Sequence, residues 1–302
     1  MPVNSDTSPI GDPSDASKPL ETLLYEVKNG VAYVTLNRPE RRNGISGQMQ
    51  AELEIAVNQA DFNDAVKVVV LRANGPSFCS GYDMAGGAAS VQTEWPLLHK
   101  NIYRWRRDGE WWIKLFWNLR KPVVAQVQGT CAAGANDLIA AVDIVIAAED
   151  AKFSLPQARG IGVIHTMGLW PYYLGARKSK ELAFTGDPIS GIEAERFGLV
   201  NKAVPADELE AETTWFAERV ALMPRELLMA HKFAINRFFD GAGVEASVRG
   251  AGEYDSIGAR NSMSEEFVQR AARDGVKAAV AWRDGIWADQ AKTRPAKKPR
   301  KS

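Results

Sequence analysis

Two glycine-containing turns carry the residues whose types and spacing have the clearest chemical meaning. Residues 78–84 (FCSGYDM) follow the β-rich run VVVLRA, and residues 128–138 (QGTCAAGANDL) follow VVAQV. In each turn, small residues end a strand pattern where a helical pattern begins. Backbone N–H groups at a helix start have no partner within the helix and favour negative charge. Two such turns meeting at one point would form an oxyanion hole. Alternatively, both are ordinary strand-to-helix connections.

The turns lie in a chain that alternates short β-rich runs with longer amphipathic stretches. β-Branched runs bounded by Gly, Pro or Asn predict strands at 31–37, 66–73, 123–129 and 143–148. Amphipathic patterns and helix stop signals predict helices at 47–58, 134–141, 191–197, 207–222 and 226–238. Strands that alternate with helices predict an α/β architecture. The lack of a strand pattern after Asp207 predicts a helical C-terminal unit.

Length and composition allow one large domain with a helical appendage. The chain has 302 residues, of which 45% are hydrophobic, enough to bury a sizeable core. Residues 1–18 are rich in Ser, Asp, Pro and Gly and are predicted to be a disordered tail. The core is expected at 19–206, a helical region at 207–291 and a basic disordered tail at 292–302.

Charge and hydropathy exclude several classes of protein. The 37 basic residues balance the 37 acidic ones, so no global field indicates a nucleic-acid or membrane partner. The basic segment 292–302 leaves a nucleic-acid contact open, against a solvated tail. No apolar run approaches the ~20 residues of a membrane span, and the N-terminus does not resemble a signal peptide. Cys79 and Cys131 offer neither a disulfide framework nor metal-ligand spacing. A soluble cytoplasmic protein is expected.

Four segments together resemble the crotonase (enoyl-CoA hydratase/isomerase) superfamily, in the order and spacing of that family. They are residues 36–46 (LNRPERRNGIS), 78–84 (FCSGYDM), 121–157 (KPVVAQVQGTCAAGANDLIAAVDIVIAAEDAKFSLPQ) and 184–205 (FTGDPISGIEAERFGLVNKAVP). The resemblance implies a spiral of ββα units followed by a helical trimerisation region, assembled as a homotrimer or hexamer. It also implies an acyl-CoA thioester substrate, with coenzyme A as part of the substrate and no permanently bound cofactor.

The same resemblance assigns roles to the glycine turns. Tyr82, after the glycine of the first turn, is implied to offer one oxyanion-hole N–H, and Gly134 of the second turn the other. Ser80 and Gly81 are implied to line the adenine side of the coenzyme A site, and Arg41 or Arg42 is implied to contact a phosphate. Alternatively, the arginine pair is a solvated turn.

Family hydratases carry two catalytic glutamates, and this chain differs at both positions. The first position is Asp137, and the second, in the motif SLPQ, is Gln157. A glutamine can hydrogen-bond a water but cannot take its proton at neutral pH. A two-glutamate syn hydration is therefore not expected. Asp137 is predicted to be catalytic, although it would also complement a helix dipole. Asp143, at the start of the next strand, is interpreted as structural.

His165 is the histidine nearest to these motifs. It lies eight residues after Gln157, in GIGVIHTMG, where similar dienoyl-CoA isomerases have an acidic residue. A histidine at that position suits general acid–base chemistry near neutral pH, with Asp137 orienting it. Alternatively, His165 caps or packs a loop.

Tryptophans are concentrated after the first turn, where the resemblance places a helix and loop over the acyl chain. Five of the nine tryptophans fall there: Trp95, Trp105, Trp111, Trp112 and Trp117. They would line a pocket for a bulky or cyclic acyl group. Alternatively, they form an aromatic core or a subunit contact.

Three functions remain open on these observations. The leading hypothesis is (de)hydration or isomerisation at the α–β positions of an acyl-CoA through an oxyanion-hole-stabilised enolate. The second is hydrolysis of a C–C or thioester bond by Asp137 and His165. The third is a catalytically weak, CoA-binding homologue, suggested by the missing second carboxylate.

Overall fold

The computed structural model describes residues 19–84, 111–164 and 166–293, and it confirms the predicted α/β class with a C-terminal helical region. Three predictions fall outside these residues. They are the disordered tail at 1–18, most of the basic tail at 292–302, and the placement of Trp95, Trp105 and His165.

The larger of two sheets in the described residues has six strands. All strands are, in chain order, β1 (Leu23–Lys28), β2 (Val31–Leu36), β3 (Val68–Ala73), β4 (Val123–Val127), β5 (Thr130–Ala132), β6 (Ile144–Ala148), β7 (Lys152–Ser154), β8 (Ile189–Ser190) and β9 (Lys202–Val204). The large sheet has the order β1-β2-β3-β4-β6-β9. Its β1–β2 pair is antiparallel and its other pairs are parallel. Every residue of β2 is buried, as a parallel strand covered on both faces requires.

The smaller sheet, in the order β5-β7-β8, produces the ββα repeat. β4 leaves the large sheet, passes Gly129 and enters the small sheet as β5, which leads into a helix. Gly129 has a φ of 57°, and a Cβ there would lie 1.9 Å from the Pro76 carbonyl oxygen. Only glycine fits this close approach of two backbones.

Helices cover the sheets and form the C-terminal region. They are α1 (Gly47–Phe62), α2 (Ala135–Ala141), α3 (Trp170–Thr185), α4 (Gly191–Phe197), α5 (Leu209–Val220), α6 (Arg225–Gly241), α7 (Val244–Gly258), α8 (Ser262–Asp274) and α9 (Val276–Ala291). In the described part of the chain, none is long and apolar enough to cross a membrane.

The residue patterns missed several of these elements. β5, β7, β8 and β9 have two or three residues each, too few to show a period. In α3, Pro171 stands in the first turn and Gly175 has non-helical angles (φ 70°, ψ 159°), so the helical pattern is interrupted. α1 also continues past the predicted end to Phe62.

A buried lysine ties the helical region to the sheet. The Lys232 ammonium on α6 donates to the Phe116 carbonyl at 2.7 Å and to the Asp143 carboxylate at 2.8 Å. Asp143 also accepts the Val123 backbone N–H at 2.7 Å, so it joins β4, the start of β6 and α6. This network matches the structural interpretation of Asp143.

Candidate active site

The two glycine turns meet in the structure. Gly81 has a φ of 92°, and a Cβ there would lie 2.7 Å from the Ala133 Cβ and 3.0 Å from the Gly134 nitrogen. The strands leading into the turns are also joined, because the Cys79 N–H donates to the Thr130 carbonyl at 3.0 Å. The structure therefore brings the two turns together, which is one of the two alternatives that the sequence pattern left open.

Gly134 stands where the second turn enters α2. Its φ and ψ are −59° and −14°, and in the described chain no group accepts a hydrogen bond from its N–H. A Cβ at Gly134 would lie 2.5 Å from Cε2 of Tyr82, so the Tyr82 ring covers this backbone directly. The geometry puts both residues assigned to the oxyanion hole side by side.

Asp137, one turn into α2, is buried and held in a defined orientation. Thr166 donates its backbone N–H and its hydroxyl to Oδ1 of Asp137, at 2.7 and 2.8 Å. The Tyr82 hydroxyl lies 3.4 Å from Oδ2, and it accepts the Trp112 indole N–H at 2.9 Å. One carboxylate oxygen is therefore fixed, and the other faces the first glycine turn.

Burial changes the acidity of this carboxyl group. Desolvation raises the pKa of Asp137 to about 7, although both Thr166 hydrogen bonds oppose the rise and the charge of Asp255 adds to it. A general base works best when its pKa lies near the operating pH. The raised pKa suits Asp137 to removing and returning a proton at neutral pH.

Gln157 follows β7, which pairs with β5 of the second turn. Its amide oxygen and nitrogen are both buried and have no hydrogen-bond partner within the described chain. The Gln157 backbone carbonyl accepts the N–H groups of Ile161 and Gly162, at 2.8 and 3.0 Å, and so starts the loop that leads to Thr166. The amide thus has hydrogen-bonding capacity that the described protein groups leave unused, which is uncommon for buried amides.

Asp255, on α7, is a buried carboxylate that the sequence analysis missed. It is 7% exposed, and its Oδ1 accepts the Val163 backbone N–H. Desolvation raises the pKa of Asp255 to about 7. No motif marks it, because a lone acid in a helical pattern ordinarily faces solvent. Only the contact between α7 and the 157–166 loop reveals it.

The residues assigned to coenzyme A lie together at the other side of the first turn. The Ser80 N–H donates to the Arg42 carbonyl at 3.0 Å, so the 38–44 turn packs against Ser80 and Gly81. Arg41 and Arg42 are exposed, and neither guanidinium forms an ion pair with a residue that the structure describes. This cluster presents two free cations beside the turn.

The tryptophans near the first turn divide into two groups. Trp111 and Trp112 stack edge to face with ring centroids 4.4 Å apart, and Trp112 contacts Tyr82. Trp117 instead donates its indole N–H to Asp240 at 3.1 Å and packs against Phe239 of α6. For Trp117 the pocket interpretation was wrong and the packing alternative holds, because its ring points to the C-terminal helices. The five residues from Ile113 to Trp117 form a π-helix.

Comparisons with known proteins agree with this geometry. The family model for enoyl-CoA hydratase/isomerase matches residues 26–270. The chain therefore belongs to the enoyl-CoA hydratase/isomerase family.

Solved structures of this family share its fold. An enoyl-CoA hydratase from Mycobacterium smegmatis is 33% identical, with a TM-score of 0.82 over 89% of this chain and 94% of that one. An enoyl-CoA hydratase/isomerase from Xanthobacter autotrophicus Py2 is 34% identical, with a TM-score of 0.77 over 92% of this chain and 100% of that one.

The 1,2-epoxyphenylacetyl-CoA isomerase of Escherichia coli K12 is similar in sequence, with 30% identity over 72% of this chain and 82% of its own.

Proposed function

We propose that the protein isomerises an acyl-CoA thioester by moving a proton through an enolate, with Asp137 as the base. The observation that carries this proposal is the geometry of Asp137. One of its oxygens is fixed by Thr166 and the other lies beside the glycine turns, where the Gly134 N–H has no acceptor among the described residues. A single positioned carboxylate beside an oxyanion site suits proton transfer next to a carbonyl.

The reaction needs no second base, because Asp137 both removes the proton and returns it. For a 3-enoyl-CoA, the Asp137 carboxylate takes a proton from C2, and the electron pair moves into the thioester to form an enolate. The N–H groups of Tyr82 and Gly134 stabilise the enolate oxygen. Protonated Asp137 then returns the proton to C4 as the double bond moves to C2–C3. No water, cofactor or metal takes part.

The neutral amide of Gln157 favours isomerisation over hydration. An amide donates and accepts hydrogen bonds but does not remove a proton from water at neutral pH. Its unused oxygen and nitrogen would orient the acyl chain or a bound water without activating that water. Hydration, which needs an activated water, would then be slow.

The acyl group is proposed to be bulky or aromatic. Tyr82, Trp111 and Trp112 form one aromatic cluster beside Asp137. The similarity to an isomerase named for a phenylacetyl-CoA epoxide supports this choice. Arg41 or Arg42 would bind a coenzyme A phosphate, with the adenine near Ser80 and Gly81.

Turnover of a thioester panel tests the proposal. Aliphatic and aryl 3-enoyl-CoA esters are expected to give conjugated 2-enoyl products. The reaction is measured by the rise in absorbance of the conjugated 2-enoyl thioester. Asp137→Asn should lose roughly 10²–10⁴-fold in rate, the usual contribution of a general base. Asp150→Asn is the matched control, because Asp150 is exposed and lies outside the site.

Other outcomes of the same panel contradict isomerisation. Release of free coenzyme A thiol would indicate the hydrolase alternative, in which Asp137→Asn and His165→Ala would be strongly non-additive. Loss of enoyl absorbance from 2-enoyl-CoA esters added to the panel would indicate hydration. Binding of the esters without turnover would leave a CoA-binding homologue.

A further inference from the structure

The loop between Gln157 and Thr166 is held by a carboxylate on each side. We propose that Asp255 is a positioning residue for Asp137: it anchors Val163, so that Thr166, three residues later, can hold Asp137 in its productive orientation. This inference rests on the proposed role of Asp137 as the base. It brings the C-terminal helix α7 into the active site.

The contact on the α7 side is close and specific. Asp255 accepts the backbone N–H of Val163, and a Cβ at Gly162 would lie 2.2 Å from Asp255 Oδ1. Any side chain at position 162 would therefore push the carboxylate off the loop. Glycine at this position permits the approach, and Val163 is anchored by a hydrogen bond to the buried Asp255 carboxyl group.

A further contact holds the same loop against the helical region. The Asn261 side-chain amide donates to the Gly160 carbonyl at 3.0 Å. Just after the loop, Gly168 packs closely on α7, because a Cβ there would lie 2.4 Å from the Ser247 Cβ. The loop is therefore anchored at Gly160 and at Val163, and Asp255 supplies the second anchor.

On the other side, the loop delivers Thr166 to Asp137. Thr166 is fully buried, and its two hydrogen bonds to Oδ1 are 2.7 and 2.8 Å long. Ile164, between the two anchored residues, is 3% exposed. A shift of Val163 would therefore affect Thr166, which is only three residues further along the chain. Misplacement of a catalytic group by about 1 Å can cost roughly 100-fold in rate.

The two acids also interact electrostatically. Thr166 and the Tyr82 hydroxyl contact Asp137 directly, and Asp255 on α7 acts on it through its charge. His165 belongs to the same loop but lies outside the described residues. The negative charge of Asp255 raises the pKa of Asp137, so removal of that charge lowers it. Because the base acts deprotonated, the acidic limb of kcat/KM would then move to lower pH.

Two substitutions separate the hydrogen bond to Val163 from the negative charge of Asp255. Asp255→Asn keeps an oxygen that can accept the Val163 N–H but removes the charge, whereas Asp255→Ala removes both. Asp255→Ala is expected to lower kcat by roughly 10–100-fold, with KM changed much less. Asp255→Asn is expected to lower kcat only a few-fold and to move the acidic limb of kcat/KM to lower pH. Glu253→Gln is the matched control, because Glu253 is exposed on the same helix.

Hydrogen–deuterium exchange of the substrate-free protein reports the anchor independently of turnover. The peptide covering 160–168 should exchange faster in Asp255→Ala, and should resemble wild type in Asp255→Asn. Unchanged exchange and kcat in Asp255→Ala would overturn the inference. The inference would also be overturned if Asp255→Asn lowered kcat as much as Asp255→Ala. The same holds if Asp255→Asn left the acidic limb of kcat/KM in place. If wild type shows no isomerase activity, the proposed function fails, whereas the exchange result still decides whether Asp255 positions the loop.

Discussion

Thr166 binds one oxygen of Asp137 through both its backbone N–H, at 2.7 Å, and its hydroxyl, at 2.8 Å. Oδ2 of Asp137 is left facing the Tyr82 hydroxyl, 3.4 Å away. A carboxylate held by one oxygen cannot rotate freely. Its other oxygen therefore keeps a constant position relative to the glycine turns, as a proton-transferring group requires.

Removal of the Thr166 hydroxyl should move the pH profile. That hydroxyl lowers the pKa of Asp137, so Thr166→Val should raise this pKa and shift the acidic limb of kcat/KM to higher pH. Thr213→Val is the control, because Thr213 is equally buried but bonds to the Leu209 carbonyl on α5. A limb that stays in place, or moves down, contradicts the role of Thr166.

A pair of variants at Gly134 separates the effect of losing the backbone N–H from the effect of adding a side chain. Both Gly134→Ala and Gly134→Pro add a Cβ against the Tyr82 ring, but only proline removes the donor. The φ of −59° at this position suits proline. Gly134→Pro should therefore be slower than Gly134→Ala by roughly 10²–10³-fold, the usual cost of one oxyanion donor. Equal rates in two folded variants, verified by circular dichroism, would remove Gly134 from the oxyanion hole.

A glutamate at position 157 should create hydratase activity. Gln157→Glu supplies a carboxylate that can deprotonate water, so hydration of crotonyl-CoA should rise by roughly 10-fold or more. Gln157→Leu, which removes the polar group without adding a base, should show no such gain. If Gln157→Glu also shows no gain, the missing carboxylate is not what limits hydration.

Asp137 should make the fold less stable at high pH than at low pH. Its folded-state pKa of about 7 exceeds the ordinary value of 3.8, so the folded state binds more protons between these values. The contribution to stability is therefore full below pH ~4 and is lost as pH rises through about 7. Asp137→Asn should raise the free energy of unfolding by about 1–3 kcal/mol at pH 8 and by much less at pH 4.

Urea unfolding at fixed protein concentration measures this difference, because association also affects stability. Asp150→Asn, at an exposed site, should show no pH-dependent gain. An Asp137→Asn gain that is larger at pH 4 than at pH 8 would mean that the carboxyl group is charged in the folded protein throughout this range.

The protein should assemble as a trimer or a dimer of trimers. On α6, Ile235 and Phe238 are 60% and 71% exposed, and Trp215 on α5 is 56% exposed. Exposed apolar groups of this size on neighbouring helices mark an interaction surface. Light scattering at micromolar concentration should give about three or six times the 33.1 kDa chain mass. A clean monomer contradicts the assembly, and Phe238→Glu should weaken a trimer built on this face.

The sequence by itself determined the elements and motifs that local patterns encode. β2, β3 and β4 are runs of β-branched residues long enough to show their type, and α4 has the predicted bounds. The glycine turns were recognisable because their small residues follow buried strands. Asp137 and Gln157 were found because they occupy known positions of a family motif. Each of these signals is contained in a continuous stretch of chain.

Tertiary structure alone decided which distant groups meet those motifs. Thr166 and Asp255 show no signal of their own, since their roles arise from contacts with Asp137 and Val163 across the fold. Trp112 and Trp117 are close in sequence, yet Trp112 contacts Tyr82 and Trp117 packs against Phe239 of α6. The acidity of Asp137 likewise depends on burial by other segments. Desolvation and long-range contact are properties of the packed chain, and no local pattern of residues records them.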